Sequence, residues 1–388
     1  MVQPARTESR RDWGITRPSR SRSPLVSAAA VLVTATALLL ASCSGTTRST
    51  PSGPVTFDDV DAMLESRVAR EGLDGMALLV AINGMEIRDR AYGDISTDTV
   101  VPIASASKWL TAATMMTLVD EGRVSLDDPV STYLPEFTGV TGRATIRQLL
   151  SHTAGIDQAS CIWDQRSTLA DCVRSIASRP ADHAPGSRFS YGNTSFSVAG
   201  RVIEVVTGQT FEKAFEQRIA VPVGMPHTRF DGNYYPTEAN PVPAASAEST
   251  LDDYGRFVRM LSGGGQIDGR RVLSTASVLE METDSVRGID THDDSAVRTT
   301  GIPTYGLGTW RDVTTTDDVG VITSGNGAYG FYPWVDRGRN AYGVLLVFDQ
   351  RGSNLAVPES QRNVHAVWAA LDTMFDLGST PGTITHGR

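Results

Sequence analysis

The sequence predicts an α/β protein of the α+β type, in which one sheet is gathered from both ends of the chain around a mainly helical insert. Three observations carry that expectation. Near the start of the body, the apolar run Ala77-Leu78-Leu79-Val80-Ala81-Ile82 is followed by Asn83-Gly84 and Glu86-Ile87-Arg88. Asn-Gly between strand-like runs is the signal of a tight hairpin, because both turn residues accept a positive φ. Strand-like runs then return only late, at 305–311, 329–335 and 341–348, whereas the apolar spacing between the two groups is helical. The 388 residues are 40% hydrophobic and 20% charged, which supplies a large core and excludes a disordered, collagen-like or disulfide-stapled miniature protein.

The first segment reads as an address. Arg6, Arg10, Arg11, Arg17, Arg20 and Arg22 precede an uncharged, largely apolar run over 25–42 that ends in small residues. That order is a secretory signal. An uncleaved membrane anchor is the alternative, since about 18 apolar residues can cross a bilayer. Leu40-Ala41-Ser42-Cys43 resembles the lipobox of bacterial lipoproteins, which implies that residues 1–42 are removed and that Cys43 carries lipid. The Ser/Thr/Gly/Pro-rich residues 43–54 would then be a flexible tether, with the protein held on the outer face of the cytoplasmic membrane. In that oxidising compartment Cys161 and Cys172, an even remainder, are expected to form a disulfide. No His or Cys stands at ligand spacing beside them, so no metal is expected.

The body over 55–376 is expected to be one domain of two lobes, a sheet lobe (about 55–115 and 266–376) and a helical lobe (about 116–265), followed by a tail over 377–388. Its helices are predicted at 58–70, 109–119 (ended by Gly122), 146–150, 195–206, 210–219, 251–261 and 359–375. The formal charge is −9, and six of the basic residues belong to the leader, so the body is more acidic still. An acidic body does not bind nucleic acid by neutralising phosphates.

The chemistry-bearing segment is Ser105-Ala106-Ser107-Lys108, at the start of the 109–119 helix. A serine and a lysine three apart lie on one helical face. A serine hydroxyl needs a neighbouring base to become a nucleophile, and a lysine with a depressed pKa can serve. Ser107, adjacent to the lysine, faces elsewhere. The sequence has no Gly-x-Ser-x-Gly elbow, His-Glu-x-x-His or Walker pattern.

Together with other segments this motif resembles the serine β-lactamase and penicillin-binding-protein superfamily, in its branch of class C β-lactamases, DD-peptidases and related esterases. The matching pieces are GRVSLDDPVSTYL (122–134), LLSHTAGI (149–156), Tyr191-Gly192-Asn193, Thr207-Gly208-Gln209-Thr210-Phe211, Pro222-Val223-Gly224-Met225 and Tyr305-Gly306-Leu307-Gly308. The resemblance implies a β-lactamase-like fold, an antiparallel sheet flanked by helices with the active site between the lobes. It also implies an acyl-enzyme on Ser105, with Lys108 and Tyr191 moving protons and Asn193 bonding Lys108 and substrate. A Tyr191 phenol beside ammonium charge is expected to have a lowered pKa.

The third motif departs from the family. Counted back from Trp334-Val335-Asp336, the expected Lys-Thr-Gly or His-x-Gly falls on Gly325-Asn326-Gly327, with its glycine at Gly327; a register with Ser324 first is the alternative, and in either one no Lys or His stands at the first position. The N–H groups of Ser105 and Ala328 would form the oxyanion hole. Loss of the cation favours uncharged esters or other acyl substrates over penicillins, unless Arg337 or Arg339 supplies the charge. A DD-carboxypeptidase, or a non-catalytic penicillin-binding or sensor protein, is the rival. The implied partner is a small-molecule or peptide acyl donor, with no cofactor and a monomeric state. His152 is expected to be structural, and Asp290, His292, Asp293 and Asp294 a solvated loop. Segments 158–182 and 286–303 are expected to line the pocket.

Overall fold

Residues Gly75–Ile82 are all buried, which requires cover on both faces of a strand. The computed structural model shows how, and describes residues 54–375 except 157, 231–238, 316–320 and 350–356. The expected signal segment, Cys43, nearly all of the tether and the tail lie outside the described residues.

The chain runs α1 (Phe57–Glu71), β1 (Gly75–Ile82), β2 (Met85–Gly93), β3 (Val101–Pro102) and α2 (Ser107–Asp120) into a helical stretch. That stretch holds α3 (Gly139–Gly142), α4 (Ile146–Leu150), α5 (Leu169–Ala177), α6 (Thr194–Thr207), α7 (Phe211–Phe215) and α8 (Val221–Val223). Next come β4 (Glu248–Ser249), α9 (Leu251–Ser262), β5 (Gln266–Ile267), β6 (Arg270–Arg271), α10 (Thr275–Glu282) and α11 (Ser295–Thr300). The chain closes with β7 (Trp310–Val313), β8 (Ile322–Ser324), β9 (Tyr332–Asp336), β10 (Ala341–Phe348) and α12 (Val357–Phe375).

The main sheet has six antiparallel strands in the order β2-β1-β10-β9-β8-β7. The N-terminal hairpin pairs with the C-terminal strands through β1 and β10, in register from Gly75 opposite Phe348 to Ile82 opposite Ala341. Side chains alternate across β1. Met76, Leu78, Val80 and Ile82 join the core under α1 and α12, while Ala77, Leu79 and Ala81 join the larger core around α2 and α9. A slip of one residue would exchange these two sets, so both cores fix the register.

Four expectations need correction. Helix α9 packs on β1, β9 and β10, so the cover of the sheet begins before residue 266. The helix expected over 210–219 stops at Phe215 and continues as one wide π turn, Glu216–Ala220. Pro222 at the start of α8 explains this, since its ring lacks an N–H and crowds the carbonyl four residues back. The strand expected over 305–311 is only a bridge between Tyr305 and Trp310, because the chain turns at Gly308 (φ 76). A Cβ there would lie 2.6 Å from the Lys108 carbonyl, so this glycine seats the turn directly under α2. The last of the expected strands before β10 begins at Tyr332 rather than 329.

Cys161 and Cys172 are joined as a disulfide, with Cα atoms 5.3 Å apart, which ties the turn at Ser160–Trp163 to α5.

Candidate active site

Ser105 lies in a single 3-10 turn, Ala104–Ala106, that leads into α2. Ala104 has φ 45, a left-handed conformation that costs a residue with a Cβ about 1–2 kcal/mol. Its neighbours hold it there: Ile103 N–H donates to the Ala247 carbonyl at 3.0 Å, and Tyr254 OH donates to the Ala106 carbonyl at 2.8 Å. Ser105 is thereby left half-buried, facing a cleft of about 230 Å³.

Lys108 is one helical turn on and 1% exposed. Its Nζ lies 3.1 Å from Ser105 Oγ, 3.0 Å from Asn193 Oδ1 and 3.1 Å from the Ala244 carbonyl. Burial pulls its pKa down to about 7. At neutral pH, therefore, about half of the molecules carry a neutral amine. An unperturbed lysine would be neutral in only about one molecule in three thousand. In the neutral form two N–H bonds can go to Asn193 and Ala244, which leaves the lone pair for the Ser105 proton.

Ser107 is buried and accepts the Ala247 N–H on Oγ at 3.1 Å, so it is a strut and does not face the cleft. With Thr111 Oγ1 donating to the Pro243 carbonyl at 2.6 Å, three successive contacts bind segment 243–247 along α2. Sequence reading missed this segment. Its signal is the run of small residues Ala244-Ala245-Ser246-Ala247, which permits a close approach of backbone to helix.

Tyr191 is placed by a loop whose backbone donors are all held from outside. Ser190 N–H reaches the His152 carbonyl at 2.9 Å, and Tyr191 N–H reaches Asp294 Oδ2 at 2.8 Å. Gly192 N–H points to His152 Nδ1 at 3.4 Å, and Asn193 N–H to Gln158 Oε1 at 3.4 Å. His152 sits in a cage of Phe189, Tyr191, Phe196 and Tyr305. Burial, and Lys108 beside it, hold its pKa well below its ordinary value, so it is a neutral acceptor for Gly192. Asp294, expected from the sequence to lie in a solvated loop, instead accepts the Tyr191 N–H and the first N–H groups of α11 on its carboxylate, behind the cleft surface.

The expected lowering of the Tyr191 pKa is reversed. Burial pushes the hydroxyl up to about 12, with the Asp294 carboxylate adding to the rise, and hydrogen bonding to Ser105 and Trp310 only partly offsets it. Lys108 lies over the ring face, with Nζ 4.8 Å from the centroid, so its charge meets the π cloud and not the hydroxyl. The ring stacks on Trp310 at 5.1 Å. Tyr191 is thus a neutral hydrogen-bond donor at working pH.

Ala328 lines the same cleft as Ser105 and Tyr191, and among the described residues neither its N–H nor that of Ser105 has a protein acceptor. A Cβ at Gly327 would lie 2.3 Å from the Ile103 carbonyl, so only glycine lets this segment approach the Ser105 turn. The segment thus supplies the backbone of the third motif without its cation. A Cβ at Gly325 would lie 3.0 Å from the Trp109 ring, which occupies the space a longer side chain would need. Neither arginine supplies the charge. Arg337 is bound to Glu282 (2.7 and 2.9 Å) and to the Leu261 and Ser262 carbonyls, and Arg339 to Asp336 and Asp372. Among the described residues that line the cleft, none is charged.

A family model described as Beta-lactamase matches residues 60–369. The chain belongs to the beta-lactamase family. It has the β-lactamase-like fold of this group of serine hydrolases, an antiparallel sheet flanked by helices. A candidate beta-lactamase from Bacteroides dorei DSM 17855 has a solved structure that superposes with TM-score 0.73 at 30% identity, covering 81% of this chain and 98% of that one. Penicillin-binding protein 4 of Amycolatopsis lactamdurans is 30% identical over 284 residues, 60% of this chain and 73% of that protein. Protein flp of Staphylococcus aureus (strain MRSA252) is 30% identical over 190 residues, but the match spans 45% of this chain and only 38% of flp.

Proposed function

We propose that this chain is a serine hydrolase of the cell envelope that cleaves uncharged esters through an acyl-enzyme on Ser105. The observation that carries the reading is the Lys108 amine, buried without a carboxylate in its shell and 3.1 Å from the Ser105 hydroxyl. Neutral Lys108 removes the Ser105 proton as Oγ attacks the acyl carbon. The oxyanion that forms is met by the N–H groups of Ser105 and Ala328. When the C–O bond to the leaving group breaks, Tyr191 donates its proton to the departing oxygen and regains one from protonated Lys108 through an intervening water. Water then attacks the acyl-enzyme, with the same groups carrying the proton in reverse, and the acid leaves.

The preference for uncharged substrates rests on the cleft itself. A charge-assisted hydrogen bond to a substrate carboxylate is worth about 1.5–3 kcal/mol, or about ten- to a hundredfold in rate, and no cation in the described cleft can supply it. Short-chain aryl esters should therefore be cleaved much faster than nitrocefin or a D-Ala-D-Ala peptide. Kinetic constants for the three substrates test this, and efficient nitrocefin hydrolysis by the unaltered protein would restore β-lactamase as the first reading.

Lipid anchorage through Cys43 belongs to the same proposal and is supported by the sequence around it. Cys43→Ala should move the exported protein from the membrane to the soluble fraction. Retention in the membrane would favour an uncleaved anchor over 25–42.

A further inference from the structure

Asp294 bonds two elements at once. Its Oδ1 accepts the N–H groups of Ala296 (2.8 Å) and Val297 (3.3 Å), which caps α11, while Oδ2 accepts the Tyr191 N–H at 2.8 Å. Capping alone needs one oxygen. Six other helices of the described chain are capped by a hydroxyl, from Thr56, Thr145, Thr168, Thr210, Thr250 and Ser274. Helix α11 has a carboxylate instead, and the second oxygen goes to the loop that carries the tyrosine.

The two elements also meet at the cleft. Ser295, Ala296, Thr299 and Thr300 of α11 line it beside Tyr191. Val297 is buried with Phe189, Tyr305 and Trp310, the cluster against which Tyr191 and Ala296 pack. The far end of α11 is fixed as well, by Gln361 of α12 donating to the Thr300 carbonyl at 3.0 Å. The contacts of His152 and Gln158 hold the same loop without touching α11, so Asp294 is the hydrogen-bonded link between the wall and Tyr191 among the described residues.

We propose that Asp294 is a positioning residue that couples the α11 wall to Tyr191, so that a substrate seated against α11 brings the tyrosine hydroxyl to the place where the leaving group departs. The inference rests on the reading of Tyr191 as the proton carrier for Ser105. A misplacement of about 1 Å in such a group costs on the order of a hundredfold in rate.

Asp294→Ser tests it, because serine can cap α11 but is too short to reach the Tyr191 N–H as well. The variant should melt near the wild-type temperature, lose about ten- to a hundredfold in kcat on aryl esters, and keep KM within about threefold. In a Tyr191→Phe background the same substitution should change kcat by less than about twofold, because the group it positions is gone. Amide exchange of the peptide covering residues 188–193 should also become faster. Wild-type kcat in Asp294→Ser, or an equal loss in the Tyr191→Phe background, would overturn the coupling and leave Asp294 a helix cap. If the unaltered protein neither turns over esters nor takes up a fluorophosphonate at Ser105, the hydrolase reading fails. The exchange measurement still decides in that case whether Asp294 anchors Tyr191.

Discussion

Lys108 is the residue at which burial becomes chemistry. Its three oxygen neighbours satisfy an ammonium ion, yet none carries a negative charge, so removal from water dominates and the amine is neutral in about half of the molecules near pH 7. A base must be deprotonated to act. The acylation rate, read as kcat/KM, should therefore rise with pH through about 7 and level off above it. Tyr191 should not end that plateau within an ordinary assay range, since its hydroxyl titrates near 12. Lys108→Ala should remove the rise and lower acylation by about a hundredfold or more. A flat profile across pH 6 to 8 in the unaltered protein would remove lysine as the base. The sequence could pair Ser105 with Lys108 by their spacing, but the pKa shift comes from burial by the whole fold, and the neighbours Asn193 and Ala244 come from segments 85 and 136 residues away.

At the scale of elements, the third-motif segment after β8 shows both what the sequence reveals and where it stops. The glycine at 327 was legible by alignment to a motif, and its reason is steric, the Ile103 carbonyl 2.3 Å from where a Cβ would stand. The hairpin at Asn83-Gly84, the long apolar helices and the final helix were legible because turn chemistry and periodicity are local. The three-residue β8, the two-residue strands and the six-residue α11 were not, since so few residues carry no periodicity and are fixed by their neighbours. Asp294 was misread for the same reason. Its role comes from Tyr191, 103 residues away. The space at Gly325 was equally out of reach, because Trp109 fills it from another element. It follows that Gly325→Lys alone should lower activity by overpacking, which typically costs 1–3 kcal/mol. Combined with Trp109→Ala, which opens room for the new side chain, it should raise the rate on carboxylate-bearing substrates relative to aryl esters. Equal ratios in the single and double variants, measured as kcat/KM on nitrocefin and on an aryl ester, would show that Trp109 does not exclude a cation there.

For the whole molecule, charge and architecture act in the same direction on substrate choice. Two cores lie one on each face of the sheet, and the larger one takes in α2, the helix that follows Ser105, whose cleft Ala328 also lines. Into that cleft the chain presents no described cation, and around it stands a protein of formal charge −9. A net negative body slows the approach of anions and leaves neutral molecules unaffected, and salt weakens the effect because the Debye length falls from about 30 Å at 0.01 M to about 3 Å at 1 M. Residues 1–42 hold six of the arginines and two acids, Glu8 and Asp12, so if the proposed processing at Cys43 takes place, the remaining protein is more negative than the full chain and should show the effect more strongly. Raising the ionic strength from 0.01 to 0.5 M should thus increase kcat/KM for anionic nitrocefin severalfold while leaving that for a neutral aryl ester within about 30%, with the pH held at the plateau set by Lys108. The opposite result, a fall with salt for nitrocefin, would mean that a local positive field draws the carboxylate in, and would place a cation near the cleft in spite of the neutral lining.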